Sequence, residues 1–232
     1  MLRGIKRPLD FFLSHSRCCS SNSFVPEHLR QRLISPEFGA KPVHPRKEMQ
    51  RQYPDSQQSV TEHFLYSKQS MQRLPWEMYY SKQHRVLWSF IHFQSQSRLG
   101  NTQGFAHGGL LSACFDGALG SLFTMTGVSG FTANLNVNYR QPVEIPSSLL
   151  LRSHVQSWEG RKLWIAGKLT TATDSALEDG DKGGGGEDCA VGEGGGDGVE
   201  GGDGGGDGGR NPASIIFAEG RGLFLEQRKK EQ

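Results

Sequence analysis

Four residues within one short stretch, GFAHGGLLSACFDGALGSLF from Gly104 to Phe123, have the types and spacing for joint chemistry: His107, Gly108, Gly109 and Asp116. The stretch reads as an apolar helix that opens at the glycines. The first N–H groups of a helix lack intrahelical partners and carry partial positive charge. Without side chains, a ligand can come close to that backbone. Such a place suits a carbonyl oxygen that turns negative during attack, and one well-placed donor is worth about 3–4 kcal/mol of barrier. The same glycines would equally serve a tight turn. Asp116 is the lone acid of the stretch. A carboxylate taken out of water is costly unless it is compensated. It is expected to face a wet, polar cleft, acting as general base on a water or attacking a carbonyl carbon itself. An Asp satisfied by backbone or by Ser112 is the purely structural alternative. His107 would orient the reacting group or only cap the helix.

The elements that must hold these residues follow from periodicity. Leu111, Phe115, Ala118 and Leu122 form one apolar stripe along the helix, and Ser112, Asp116 and Gly120 form a small, polar one. After the helix, GFTANLNVNYRQP alternates with period two, a strand signal. Phe131, Ala133, Leu135, Val137 and Tyr139 are expected on one face. Thr132, Asn134, Asn136, Asn138 and Arg140 are expected on the other. SLLLRSHVQSW and RKLWIAGKLTTAT read as a hairpin turning at Glu159-Gly160, and ASIIFAEGRGLFLEQ as the last strand. Before the helix, RVLWSFIHFQSQ reads as a strand, and residues 61–83 are expected to hold a short amphipathic helix ended near Pro75. Trp158 and Trp164 are expected to cover the core. The implied architecture is α+β, a curved antiparallel sheet wrapped around one long central helix.

Composition sets the outer limits. The chain has 232 residues and a net charge of +2. Glu178 to Gly209 holds ten acids against one Lys, a local charge of −9, so the remainder carries +11. Seventeen of the 31 glycines fall between 180 and 209. Loose backbone, self-repelling charge and few apolar side chains predict a disordered loop over 178–210, inserted in a hairpin. Neither a dinucleotide fingerprint nor a calcium-binding repeat fits it, because no helix follows and no regular aliphatic position recurs. Scattered basic residues without interleaved aromatics argue against nucleic acid. No run of about 18 apolar residues is present, so no transmembrane segment is expected. Cys18, Cys19, Cys114 and Cys189 show neither zinc spacing nor a disulfide framework. Residues 24–60 hold five of the ten prolines, so 1–60 is expected to be tail and linker. Residues 228–232 are expected to be a C-terminal tail. The opening MLRGIKRPLDFFLSHSRCCSSNSF is basic, poor in acids and Ser-rich, the composition of a mitochondrial presequence. A cytoplasmic location is the alternative.

The blocks AHGGLLSACFDGALG and TANLNVNYRQP, in this order and spacing, resemble the hotdog-fold acyl-CoA thioesterases, in particular the mitochondrial thioesterase superfamily members that hydrolyse fatty acyl-CoA. The resemblance covers about Arg85 to Thr173 and the last strand, so the hotdog domain is expected over 61–227. It implies hydrolysis of fatty acyl-CoA thioesters, with no metal or other cofactor. Asp116 is then base or nucleophile, and the amides of Gly108 and Gly109 polarise the thioester carbonyl. Thr132 helps to hold the water or the Asp, and His107 orients the thioester. Asn138, Arg140, Arg161 and Lys162 are the implied contacts to CoA, whose phosphates call for basic groups. The resemblance further implies a homodimer or dimer of dimers, with Asp116 of one chain meeting the His107-Gly108-Gly109 turn of another.

Two other functions share these features. A hotdog hydratase acting on enoyl-CoA would need an Asp and a His placed together for water addition, in a different local motif. A non-catalytic acyl-CoA-binding or regulatory protein would keep the fold and lose turnover.

Overall fold

The computed structural model describes residues 23–44, 47, 65, 67–95, 100, 103–178 and 214–227. The expected targeting stretch, most of the second half of the linker, the glycine loop and the C-terminal tail lie outside the described residues. The elements run α1 (Glu27–Ile34), β1 (Lys41–Val43), α2 (Lys68–Arg73), β2 (Trp76–Ser81), β3 (Val86–Phe93), α3 (Gly108–Met125), β4 (Gly130–Tyr139), β5 (Ser147–Glu159), β6 (Lys162–Thr171), α4 (Asp174–Glu178) and β7 (Ile216–Glu226).

The seven strands make one antiparallel sheet in the order β1-β2-β3-β5-β6-β7-β4. Helix α3 lies across one face and touches β3 through β7, so the sheet curls around it. The expected stripe of Leu111, Phe115, Ala118 and Leu122 is fully buried there. It packs on Leu87, Ile91, Leu149, Leu151, Leu163, Ile165 and Phe224. The helix can approach β6 and β7 because glycines lie beneath it. A Cβ on Gly220 would stand 2.4 Å from Cδ1 of Phe115, and one on Gly222 would stand 3.3 Å from Cδ1 of Leu119. Phe115 is itself buried and has nowhere to retreat.

The hairpin β5–β6 pairs as expected and turns at Gly160, whose φ of +55° favours glycine. Helix α2 is capped by Ser67, whose Oγ accepts from the Ser70 N–H, and it stops before Pro75. The helix thus ends near Pro75 as expected, and the chain then enters a strand, β2, for which no element was expected. Trp76 and Met78 turn into the core that contains α3, and Tyr79 turns to the other side. A run buried on both faces lacks the polar intervals that mark an amphipathic strand.

The linker expectation over 24–60 is corrected by α1 and β1. Leu29 and Leu33 of α1, with Phe38, cover the convex face of the sheet, against Trp88, Phe90 and Leu150. Ala176 and Leu177 of α4 complete this second core, and Trp88 Nε1 donates to the Leu177 carbonyl at 3.4 Å. Arg32 ties the two helices by ion pairs to Asp174 (3.0 Å) and to Glu178. Prolines at 26 and 36 bracket α1, and Pro42 lies within the edge strand β1, so none of them excludes these short elements. A further correction concerns the tryptophans. Trp158 is 40% exposed, and Trp164 is half-buried with the Arg221 guanidinium 4.1 Å from its ring centroid.

Leu29 is fully buried between α1 and the sheet. Leu29→Ala is expected to destabilise the domain by about 2–5 kcal/mol, read as a drop in thermal midpoint. An unchanged midpoint would mean that α1 is not part of the folded unit.

Candidate active site

Helix α3 begins at Gly108 with His107 as its N-cap, in extended conformation. The approach is held by the segment that follows β4. The Ala106 N–H donates to the Val143 carbonyl at 2.8 Å, and Phe105 bridges to Glu144. At the cap, His107 Nδ1 accepts from the Gly109 N–H at 3.0 Å. The Leu110 and Leu111 N–H groups both reach the His107 carbonyl. Of the two amides implicated by sequence, the Gly109 N–H is therefore engaged. Among the described residues, the Gly108 N–H has no partner. Of the two amides it is the one not already engaged. The missing side chain at 109 also has a steric reason, since a Cβ there would lie 3.1 Å from His107 Nδ1.

Asp116 is exposed, and not buried among the apolar neighbours that flank it in sequence. Its Oδ1 accepts from the Thr132 hydroxyl at 2.9 Å. This contact depends on a departure from the expected pattern. Strict alternation placed Thr132 on the face opposite Tyr139. The β4–β7 register instead shifts between Thr132 and Asn134, which leaves Ala133 as an extra residue. Such a bulge reverses which face the following residues occupy. Thr132 therefore turns toward α3, together with Leu135 and Val137, which pack on the core, and with Tyr139.

Tyr139 is the site residue that sequence reading missed. Its hydroxyl donates to the Gly108 carbonyl at 2.9 Å and lies 2.5 Å from Ser112 Oγ. The only signal in the sequence is its place as the last member of the alternating strand, on the apolar face.

The expected CoA contacts do not come together within one chain. Asn138 is exposed on β4 opposite Glu219, and Arg140 pairs with Glu219 through Nε (3.1 Å) and Nη2 (2.9 Å). Arg161 donates from Nε to the Glu226 carbonyl at 2.9 Å, and Lys162 sits opposite Leu225. The two groups thus occupy opposite ends of β7, roughly 24 Å apart at the usual rise per strand residue. The catalytic candidates divide the same way. His107, Gly108 and Gly109 lie near the Tyr139 end of β4, and Asp116 lies near the Thr132 end. Eight residues of helix separate Gly108 from Asp116, about 12 Å of rise. A single thioester carbonyl cannot touch both.

Cys114, two residues before Asp116, is completely buried, and burial pushes its thiol well above the ordinary range. Its sulfur is a core atom and not a nucleophile. In a variant retaining Cys114 as sole cysteine, an aromatic disulfide reagent is expected to titrate no thiol until denaturant is added. Stoichiometric labelling of the folded protein would contradict this placement.

Residues 103–175 match the family model described as the thioesterase superfamily. Mouse acyl-coenzyme A thioesterase THEM4 is 29% identical over 123 residues, which are 53% of this chain and 52% of that protein. The rat protein of the same name is 27% identical over 148 residues, 61% of this chain and 63% of that one. The bovine one is 35% identical over 85 residues, 37% of this chain and 35% of that one. The chain therefore spans between 35% and 63% of the length of these relatives. Among solved structures, mouse thioesterase superfamily member 2 superposes with a TM-score of 0.38 at 14% identity, over 60% of this chain and 81% of that one. Over residues 103–175, the part that holds the central helix and its His-Gly-Gly cap, the chain is therefore similar to the thioesterase superfamily.

Proposed function

We propose that this protein hydrolyses fatty acyl-CoA thioesters, as a homodimer whose two active sites each draw on both chains. The observation that carries the reading is the division of one chemical set between the two ends of β4. One end presents an unengaged helix N-terminal amide, and the other presents an exposed carboxylate held by a hydroxyl.

Strand β4 is at the edge of the sheet and pairs only with β7 among the described residues. Its outer edge carries backbone groups that seek partners. An antiparallel pairing of β4 with its own copy, about a two-fold axis, sets each end beside the opposite end of the other chain. Gly108 of one protomer then meets Asp116 of its partner, and Arg140 lies near Arg161 and Lys162 across the junction. Four cationic or amide side chains, Asn138, Arg140, Arg161 and Lys162, are thereby gathered where a CoA phosphate chain would enter. The relatives named acyl-coenzyme A thioesterase support the same substrate class.

In this site the Gly108 N–H, with the positive end of α3 behind it, receives the thioester oxygen. The Thr132 hydroxyl occupies one lone pair of Asp116 Oδ1, so Oδ2 is available to the reacting groups. As general base, Asp116 takes a proton from water while the water oxygen bonds to the carbonyl carbon. The tetrahedral intermediate collapses by breaking the C–S bond, and the CoA sulfur leaves with a proton returned by the acid form of Asp116. As nucleophile, the carboxylate would itself form the bond to carbon, giving a mixed anhydride that water opens. Both routes yield the free acid and CoA, and neither calls for a metal. The basic, Ser-rich stretch 1–24 is read as a mitochondrial address. Its removal would have to stop before Val25, because Val25, Leu29 and Leu33 are buried in the convex-face core.

Asp116→Asn is expected to lower CoA release from medium- and long-chain acyl-CoA by about 10²- to 10⁴-fold. Because Asp116 is exposed, the thermal midpoint should hold and acyl-CoA should still bind. A wild-type protein that binds acyl-CoA and never releases CoA would indicate the binding or regulatory alternative, and hydration of crotonyl-CoA would indicate the hydratase. Shared sites make a second expectation. Mixing an Asp116→Asn protein with a Gly108→Val protein, each inactive alone, should restore up to about a quarter of wild-type activity, because half of the randomly formed dimers carry one intact site. No recovery after demonstrated subunit exchange would rule out sites built across two chains.

A further inference from the structure

We infer that Tyr139 is a positioning residue of this site, one that locks the peptide between Gly108 and Gly109 and so aims the adjacent Gly108 N–H. The inference rests on the reading that this N–H receives the thioester oxygen.

The Tyr139 hydroxyl has one proton, and that proton goes to the Gly108 carbonyl at 2.9 Å. The 2.5 Å contact with Ser112 must then run from the Ser112 hydroxyl to Tyr139 Oη. At the other end of the same peptide, the Gly109 N–H donates to His107 Nδ1 at 3.0 Å. A peptide unit is planar and rigid. Tyr139 and His107 therefore grip one plate by its two ends, its C=O and its N–H. The next plate back, between His107 and Gly108, carries the unengaged N–H; the Leu110 and Leu111 N–H groups hold its C=O, and it is hinged to the gripped plate at Gly108.

This grip matters because of the glycines. Two in succession leave the backbone free to rotate, which lets a ligand approach but also lets the donor wander. An oxyanion donor is useful only when its direction is set before the charge develops. The helix bonds to the His107 carbonyl hold one side of the hinge, and Tyr139 holds the other from β4, 31 residues further along the chain. Its donation polarises the gripped peptide and strengthens the N–H bond to His107. With Nδ1 accepting, the neutral His107 ring carries its proton on Nε2. Its exposed edge thus becomes a second donor beside Gly108. The Ser112–Tyr139–Gly108–Gly109–His107 chain ties helix, strand and cap into one unit.

Tyr139→Phe removes the hydroxyl and keeps the ring. It is expected to lower kcat by about 10- to 100-fold, with KM within about threefold of wild type. Ser112→Ala is expected to act in the same direction and less, since Tyr139 still reaches the Gly108 carbonyl. The second measurement is ¹⁵N NMR of the full chain. In Tyr139→Phe the Gly109 amide proton should move upfield, and the His107 ring nitrogens should lose their single-tautomer pattern. A tyrosine that merely supports the fold would lower the thermal midpoint and leave kcat and both resonances alone, and that result overturns the inference. If the wild-type chain releases no CoA from any acyl-CoA, the functional reading fails by itself and the NMR comparison alone decides whether the grip exists. If Tyr139→Phe cannot be purified, Ser112→Ala carries both measurements, and unchanged kcat and resonances there are equally fatal.

Discussion

The rise of an α-helix is the constraint on which the rest depends. At 1.5 Å per residue, eight residues put about 12 Å between the Gly108 amide and Asp116. No rotamer of a short aspartate closes that distance. A carbonyl polarised at the cap and attacked from Asp116 must therefore draw its two halves from different helices. The edge of β4 that is unpaired among the described residues is where a second helix can be brought into place. The chemistry and the proposed assembly are thus one requirement, set by helix geometry.

Strand β4 mediates between them. Its ends reach the two candidate regions of α3, Thr132 at Asp116 and Tyr139 at Gly108. Without the extra residue at Ala133, the two side chains would point to opposite faces of the sheet. The bulge keeps both on the helix side while Leu135 and Val137 still fill the core. Close packing elsewhere holds α3 in register with β4. Phe115 and Leu119 settle onto the bare backbone of Gly220 and Gly222, and added side chains there would lift the helix.

The convex face has a separate physical problem. Trp88, Phe90 and Leu150 project away from α3 and would be left in water on a bare sheet. Helix α1 and the short α4 bury them, and Arg32 with Asp174 and Glu178 ties the two together. The segment from Val25 to Val43 thus belongs to the folded unit.

Sequence by itself determined whatever depends on neighbours in the chain. The stripe of α3, the hairpin at Gly160, the helix cap at His107 and the lone acid at 116 all follow from periodicity and residue type, because a helix or hairpin is specified locally. It left α1, β1 and β2 unread. The first two are short and contain or adjoin prolines, and β2 is buried on both faces, so none has a marked period. Tertiary structure decided which side of β4 holds Thr132, because a bulge is visible only against a partner strand. It decided that Gly108, and not Gly109, keeps an unengaged N–H, because His107 folds back on one of the two. It also brought Tyr139 across 31 residues to the cap. Each of these is a contact between segments far apart in the chain, and burying a shared core is what brings such segments together.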